Sequence, residues 1–340
     1  MFSKKSISLV LCLISLSVCS NGLAEKLLYK VAEENRAASL KTGISRDSLN
    51  LLEIEPGPGQ HEAIGKMLEG LSLSGEYTLH TEGVSSLCTG NGWRVYAQGD
   101  GTRITYFNER AEKSASLTRN GPLTDESALS LGSKTIAKLS GLIQIENGQA
   151  VVPYMRKQHI ITNYALDGKE ISSAVIGTLL YFKRVIDGML VVGPGSTISM
   201  EINNDGEIVY LSSDWPRYSK SDIFQNQLSM ESFVDRARTY NDVRWNSDYY
   251  KMTKMECGYY DRGFRRDSFS YIQPACVMSF DGSIDDGNLY STSNAVPTGE
   301  TVEYDAVWNE AGAIAENGEL CMETPVGKDD FDIQVDPANQ

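Results

Sequence analysis

The chain has 340 residues, with 31 basic against 45 acidic side chains and a formal net charge of −14. Nucleic acids and anionic membrane surfaces are thereby excluded as partners, because both require clustered Lys and Arg. With 41% hydrophobic residues the chain can bury sizeable cores, and the usual size of about 150 residues per domain favours about two.

The N-terminus reads as an export signal. Lys4 and Lys5 precede the apolar run from Ile7 to Val18, and Gly22-Leu23-Ala24 offers small residues for cleavage after Ala24. Cleavage leaves 340 less 24, or 316, residues and 31 less 2, or 29, basic side chains. Lipidation at Cys19 wants a small residue before the cysteine, and Val18 stands there. No later run approaches the roughly 20 apolar residues of a membrane-spanning helix, so export to a periplasmic or extracellular compartment is the expectation.

Residues 25–75 read as helical or irregular, broken at Glu55-Pro56-Gly57-Pro58-Gly59 and resuming as a short helix from Glu62 to Leu71. Two strands follow, Gly92–Ala97 and Thr102–Phe107, around a glycine-rich turn. Asn120-Gly121-Pro122 marks a boundary, and Thr124 or Asp125 caps a helix from Glu126 to about Ser140. Ala150 to Ala165 reads as strand. Leu179 to Trp215 is then an antiparallel meander, punctuated by Asp187-Gly188 and Asp205-Gly206, with Ile198, Met200 and Ile202 alternating with polar residues. Pro216 to Gln227 reads as a polar connector, and Ser229 caps a second helix with Met230, Phe233, Val234 and Ala237 on one face. Strand segments at Tyr249–Tyr260 and Phe269–Phe280 complete the pattern, ahead of a Gly-, Ser-, Asn- and Asp-rich stretch and an acidic end. The expected fold is α+β: two successive helix-plus-antiparallel-meander units with an additional N-terminal α+β region. Its divisions are 1–24 signal, 25–120 N-terminal region, 121–218 first unit, 219–283 second unit and 284–340 extension.

Cys12 and Cys19 leave with the signal, and Cys88, Cys257, Cys276 and Cys321 remain, an even number in an oxidising compartment. Two disulfides with three possible connectivities follow. Cys257 and Cys276 lie in neighbouring strand segments and are paired on that ground, which leaves Cys88 for Cys321.

No catalytic constellation stands out. The chain has only His61, His80 and His159; His61-Glu62-Ala63-Ile64-Gly65 starts the zinc-protease HExxH pattern and fails at its fifth position. Gly70-Leu71-Ser72-Leu73-Ser74 lacks the last glycine of a nucleophile elbow. Asp281, Ser283, Asp285 and Asp286 resemble a calcium loop, but Gly287 is one place late and Thr292 stands where Glu is needed. Gly193-Pro194-Gly195-Ser196 reads as a bend rather than a phosphate cradle. No metal and no cofactor is expected. The candidate recognition patch is Tyr249, Tyr259, Arg262, Arg265 and Arg266, since Tyr and Arg are enriched in binding hot spots.

The stretch Tyr181–Gly193 followed by Ser199–Val209 resembles the propeptide module of fungalysin- and thermolysin-type proteases: an aromatic strand, a DG turn, and a second strand ending at DG. The following helix 229–241, with Tyr259-Tyr260 and Ile272–Val277, is similar to the PepSY module found after it. The resemblance covers about residues 124–283. It implies a helix-on-sheet fold and a chaperone or inhibitor of a peptidase, here without a protease domain. The expected function is therefore an exported, non-catalytic module binding a protein partner such as a secreted peptidase. The alternative is an envelope or extracellular structural protein that holds matrix, glycan or another surface protein.

Overall fold

The computed structural model describes residues 48–115, 121–164, 170–241, 244, 250–263, 270–283, 289–299 and 324–325. The export signal, the helix expected near Lys26–Leu40, Tyr249, Trp245, Arg265, Arg266, Asp285, Asp286, Trp308, Cys321 and the acidic end lie outside the described residues.

The fold is mostly β, which overturns the α+β expectation. Among the described residues, fourteen strands of four residues or more join in one large mixed sheet with only four helices. Chain order begins with β1 (Ser48–Glu55), α1 (Gln60–Gly70), β2 (Thr78–Glu82), β3 (Ser85–Gly90), β4 (Trp93–Gln98), β5 (Arg103–Asn108), α2 (Glu109–Ala115) and α3 (Asp125–Lys138). It continues through β6 (Gln149–Tyr164), β7 (Glu170–Ile186), β8 (Met189–Val192), β9 (Thr197–Asn203), β10 (Ile208–Asp214) and β11 (Arg217–Asn226). The described chain closes with α4 (Met230–Tyr240), β12 (Tyr250–Tyr260), β13 (Tyr271–Ser283), β14 (Leu289–Pro297) and a two-residue strand, Thr324–Pro325, beside β14.

The physical reason for the correction lies in the strand edges. Each short meander, standing alone, would leave unpaired backbone groups along both borders. Instead β5 pairs with β10, β1 with both β11 and β13, and β8 with β12, so pairing runs straight through the boundaries expected at 120 and 218. The supposed connector at 216–227 is largely strand β11, and its partner β1 lies in a stretch expected to be helical or irregular. β14 lies within the Gly-, Ser-, Asn- and Asp-rich stretch that follows residue 281.

Local readings that rest on caps and turns hold. Thr124 caps α3, its hydroxyl accepting from Ser127 N at 3.2 Å, and Ser229 caps α4 the same way from Ser232 N at 3.1 Å. Asp187 and Gly188 take φ of 49° and 80°, as a two-residue hairpin turn of the primed kind requires.

Eight strands form a continuous antiparallel sheet in the order β2-β3-β4-β5-β10-β9-β7-β6. α1 and α3 lie on one face of it. Ala63, Ile64 and Met67 of α1 and Ala128 and Ile136 of α3 share a core with Val95, Ala97, Ile104, Leu180, Phe182, Ile198, Met200 and Leu211. At Gly132 an added Cβ would stand 2.8 Å from Leu180 and 2.9 Å from Phe182, so α3 can pack this closely only without a side chain there. A second core gathers Phe233, Val234 and Ala237 of α4 against Met255, Met278, Phe280 and Val296. A smaller cluster, Leu52, Ile186, Val191, Tyr218, Tyr259 and Ile272, fills the junction between the two.

That junction contains one parallel pairing, Val191 and Val192 of β8 beside Tyr259 and Tyr260 of β12, and a buried polar knot. Asp261 is fully buried: Oδ2 accepts from Ser196 Oγ at 2.8 Å and Tyr218 OH at 2.6 Å, and Oδ1 accepts from Gly263 N at 3.0 Å. Its own backbone joins in, Asp261 N donating to Val192 O at 2.9 Å and Asp261 O accepting from Gly195 N at 3.2 Å. The bend 193–196 is thus a clasp around Asp261, and an added Cβ at Gly195 would meet the carboxylate at 2.2 Å. Beside it the buried Arg184 donates to Pro216 O at 2.6 Å and stacks 3.9 Å from the Trp215 ring centroid and 5.0 Å from that of Tyr218.

Cys257 and Cys276 face each other in register across β12 and β13 and form a disulfide, as expected from sequence. Cys88 is buried in the first core, where burial pushes its thiol pKa up, and the pairing expected between it and Cys321 lies outside the described residues.

Two stability outcomes follow from these contacts. Asp261→Ala strands a buried donor cluster and is expected to cost about 3–5 kcal/mol in urea unfolding, Asp261→Asn less. Replacing Cys257 and Cys276 by Ser opens a loop of 19 residues and is expected to cost about 3 kcal/mol. A change under about 1 kcal/mol in either would show that the junction is not held this way.

Candidate functional site

The face of the eight-stranded sheet opposite α1 and α3 follows from strand alternation. Core residues take one parity, so the other parity forms transverse rows in which register places each residue beside the next. One row runs Thr89, Arg94, Phe107, Tyr210, Glu201 and Leu179, and the next runs Leu87, Tyr96, Thr105, Ser212, Ser199, Tyr181 and Met155. A third contains Gln98, Arg103, Asp214, Thr197 and Lys183. Among the described residues this face has a helix only at one end, where Asn203 Nδ2 donates to Ala111 O of α2 at 3.2 Å.

The rows are neither apolar nor simply charged. Phe107 and Tyr210 meet with ring centroids 5.1 Å apart and planes tilted by 57°. Arg94 sits 5.7 Å from the Phe107 ring centroid while its Nε holds Glu109 at 2.9 Å. Leu87, Phe107 and Met155 are 36%, 36% and 37% exposed, and Tyr96, Tyr181 and Tyr210 are half-buried. At the β6 side, His159 Nδ1 lies 2.5 Å from Oε1 of the buried Glu201. Gly177 leaves room for that carboxylate, since an added Cβ would stand 3.1 Å from it.

The third row ends in a cluster that ties the open face to β12. Tyr154 OH lies 2.7 Å from both carboxylate oxygens of Glu256, Lys254 Nζ lies 2.9 Å from Glu256 and also contacts Tyr154 OH, and Lys183 Nζ donates to Gly193 O. Burial holds the Lys183 ammonium down to about 8, against the pull of Glu256 and Asp261. Burial lifts Tyr154, and it lifts Tyr181 to about 12, helped by Tyr210 and Glu201. Lys254 moves upward: burial opposes its charge, but the hydrogen bonds it donates to Tyr154 and Glu256 outweigh it.

The residues singled out from sequence fall elsewhere. Tyr259 is buried in the junction, where burial and then Asp187 push its hydroxyl to about 12. Arg262 is half-buried, 5.8 Å from the Tyr260 ring centroid, and Tyr249, Arg265 and Arg266 lie outside the described residues. The structure therefore gives Tyr259 a packing role rather than a place in a surface patch. Trp93 and Trp215 are buried in the first core. Asp281 and Ser283, read as part of a calcium-loop pattern, belong to strand β13. Among the described residues no group of three or more His, Cys, Asp or Glu is placed to hold a metal ion, and no helix is long and apolar enough to cross a membrane.

No family model matches the chain, and no curated protein matches it. Among solved structures it is similar to an uncharacterized protein from Eubacterium rectale ATCC 33656, at a TM-score of 0.40 and 12% identity, over 76% of this chain and 86% of that one.

The buried ionisable groups give the folded state a distinct alkaline profile. Lys183 titrates near 8 when folded and near 10.5 when free, so between these values the unfolded chain binds more protons and stability rises with pH. Tyr181 and Tyr259 titrate near 12 when folded and near 10 when free, so above pH 10 the folded chain holds more protons and stability falls. Urea midpoints measured from pH 7 to 11 are expected to peak between 9 and 10. Lys183→Met is expected to flatten the rising limb and keep the fall; an unchanged rise in that variant would show that Lys183 is not its source.

Proposed function

We propose that this chain is an exported, non-catalytic binding protein and that the open face of its eight-stranded sheet holds a folded protein partner. The observation that carries this reading is the pair of aromatic rows opposite α1 and α3, one of them with Arg94, which among the described residues meet a helix only at the α2 end. The seven strands that carry the rows, at about 4.8 Å spacing, extend roughly 29 Å, and three rows extend about 20 Å along the strands. The resulting area, on the order of 600 Å², approaches the roughly 800 Å² per partner of a standard protein interface. Its composition also fits, because Tyr, Phe, Met and Arg are enriched where interfaces are made. The strands fix the positions of Phe107, Tyr210, Tyr181 and Arg94 in advance, which lowers the ordering cost of association.

A secreted peptidase is the partner class we favour, with inhibition or chaperoning as the outcome, since a broad pre-shaped face can cover a cleft without being cut. Glycan binding is less well supported, because sugar rings stack on flat aromatic platforms and the Phe107–Tyr210 planes are tilted by 57°.

The test uses the mature protein and a panel of secreted endopeptidases, scored for binding and for residual activity. A peptidase partner is expected to be bound with a Kd at or below the micromolar range. Triple replacement of Phe107, Tyr181 and Tyr210 by Ala is expected to weaken that binding by more than about thirtyfold, as loss of hot-spot residues does. Absence of binding across the panel would remove the peptidase reading. A partner bound equally well by the triple variant, with its fold verified by circular dichroism, would remove the open face from the interaction.

A further inference from the structure

We propose that β2 is a dimerisation edge, through which two copies of this chain join their sheets in antiparallel register about His80. The inference stands apart from the identity of any partner bound by the open face.

β2 ends the eight-stranded sheet. It pairs with β3 at five consecutive positions, Thr78 with Thr89 through Glu82 with Ser85, and among the described residues no strand lies on its other side. All five of its residues are exposed. Its outward N–H and C=O groups therefore present a ready template for another strand.

The edge is held rigidly in place. His61 Nε2 of α1 lies 2.9 Å from Thr81 Oγ1, Thr81 Oγ1 lies 3.0 Å from Ser86 Oγ, and Ser86 Oγ donates to Gln60 Oε1 at 2.6 Å. Gln60 Nε2 in turn donates to Gly99 O at 2.9 Å. A strand fixed by this chain of bonds loses little further freedom on pairing.

Other borders of the sheet carry the features that discourage pairing. β6 contains Pro153, Arg156 and Lys157 and shifts register at three places. β11 contains Arg217, Lys220 and Asp222 and has a register shift against β1. β2 has no proline, no lysine or arginine and no register shift. Its surroundings are apolar instead: Tyr77, Val84, Leu79 and Leu87, at 55%, 74%, 41% and 36% exposure, are four of the ten exposed large hydrophobic residues among those described.

The sequence of the strand selects a second copy as the occupant. Antiparallel pairing centred on His80 sets Thr78 opposite Glu82, Leu79 opposite Thr81, and His80 opposite itself. The strand's one carboxylate then faces a hydroxyl, whereas centring on Glu82 would set two carboxylates face to face. Leu79 of one copy lies diagonal to Leu79 of the other, at about 7 Å, within reach of side-chain contact. Because His80 sits beside Leu87 within each copy, the row Leu87-His80 continues across the axis. The two eight-stranded sheets then form one sixteen-stranded face with all helices α1 and α3 on the same side.

Sedimentation velocity on the mature chain, from about 1 to 200 μM, tests the inference against the weak affinity expected of a five-residue edge. The expected result is a monomer–dimer equilibrium that His80→Lys abolishes, since it places two ammonium groups face to face. His80→Cys is expected to give a disulfide-linked dimer under mild oxidation, because directly opposed Cα atoms at about 4.5–5.5 Å lie within disulfide reach. Thr78→Cys, opposite Glu82, is expected to cross-link no more than the unsubstituted chain. A monomer throughout the range, or a dimer that His80→Lys leaves intact, overturns the proposal. If His80→Lys lowers the melting midpoint, the two cysteine variants decide the matter: equal cross-linking at both positions overturns the register.

Discussion

The arrangement depends on the carboxylate of Asp261. It is a fully buried charge-bearing group whose hydrogen bonds come from three separate parts of the chain: the bend at Ser196, strand β11 at Tyr218, and Gly263 beyond β12. A buried carboxylate is tolerated only when its acceptor sites are occupied, so the three segments must arrive together. Gly195 and Gly258 explain how they can. At Gly195 any side chain would strike the Asp261 carboxylate, and at Gly258 it would come within 1.8 Å of Leu190 O. These two glycines let β8 approach β12 for the sheet's one parallel pairing between these strands. Arg184, stacked on Trp215 and Tyr218, extends the same knot to the end of β10. A polar cluster of this kind adds little net stability compared with an apolar core, but it specifies which strands meet. In a sheet whose strands offer many near-equivalent registers, that specification matters.

Such a junction also accounts for the way the fold was legible in part. Features set by a few neighbouring residues could be read directly: the caps at Thr124 and Ser229, the turn at Asp187-Gly188, the hairpin around Gln98–Gly101, and the cross-strand cysteines at 257 and 276. Features set by distant partners could not. β1 and β11 are half-polar segments that become strands because each supplies the other's edge, and neither has a clean period-two pattern. Their register shift between Asn50 and Leu52 disrupts the alternation that would have marked β1. The same limit produced the fold-class error. A meander read locally looks complete after three or four strands, and nothing in its own residues reveals that its last strand will pair with another meander's last strand, as β5 does with β10.

The open face is hidden in the sequence for a related reason. Tyr and Arg crowd together along the chain from Tyr249 to Arg266, but closeness in sequence is not closeness on a sheet face. Tyr259 is instead spent on packing at the junction. The rows draw one to three residues from each of seven strands, so no short window of sequence contains them. A usable signal was present in the outward parity of strands whose inward parity was already clear. Phe107 opposes the polarity expected beside Ile104 and Tyr106, and Tyr181 and Tyr210 do the same beside Leu180, Phe182 and Leu211. Solvent-facing positions of an antiparallel sheet are ordinarily filled by short polar or charged residues, so aromatics recurring there are the signal on which the proposed binding role rests.

The two faces of the sheet therefore answer to different constraints. The helix-bearing face is closed by residues such as Gly132, Leu180 and Phe182 whose shapes leave no tolerance, and it fixes the curvature and position of every strand. The opposite face inherits that geometry, and its side chains reach row neighbours as well as α2, the bend at Gly193 and β12. Its composition can accordingly be set by what it must touch rather than by what it must hold up. Where the two demands collide, the structure shows the cost being met locally. Glu201 is buried on the open face only because Gly177 makes room and His159 stands against it, and Lys183 keeps its amine there only with its proton weakened. Both sit on the strands nearest β12, where the open face runs into the junction. The strands β3, β4, β5 and β10, which carry Leu87, Tyr96, Phe107 and Tyr210, are free of that conflict, and the binding role proposed for the face rests chiefly on them.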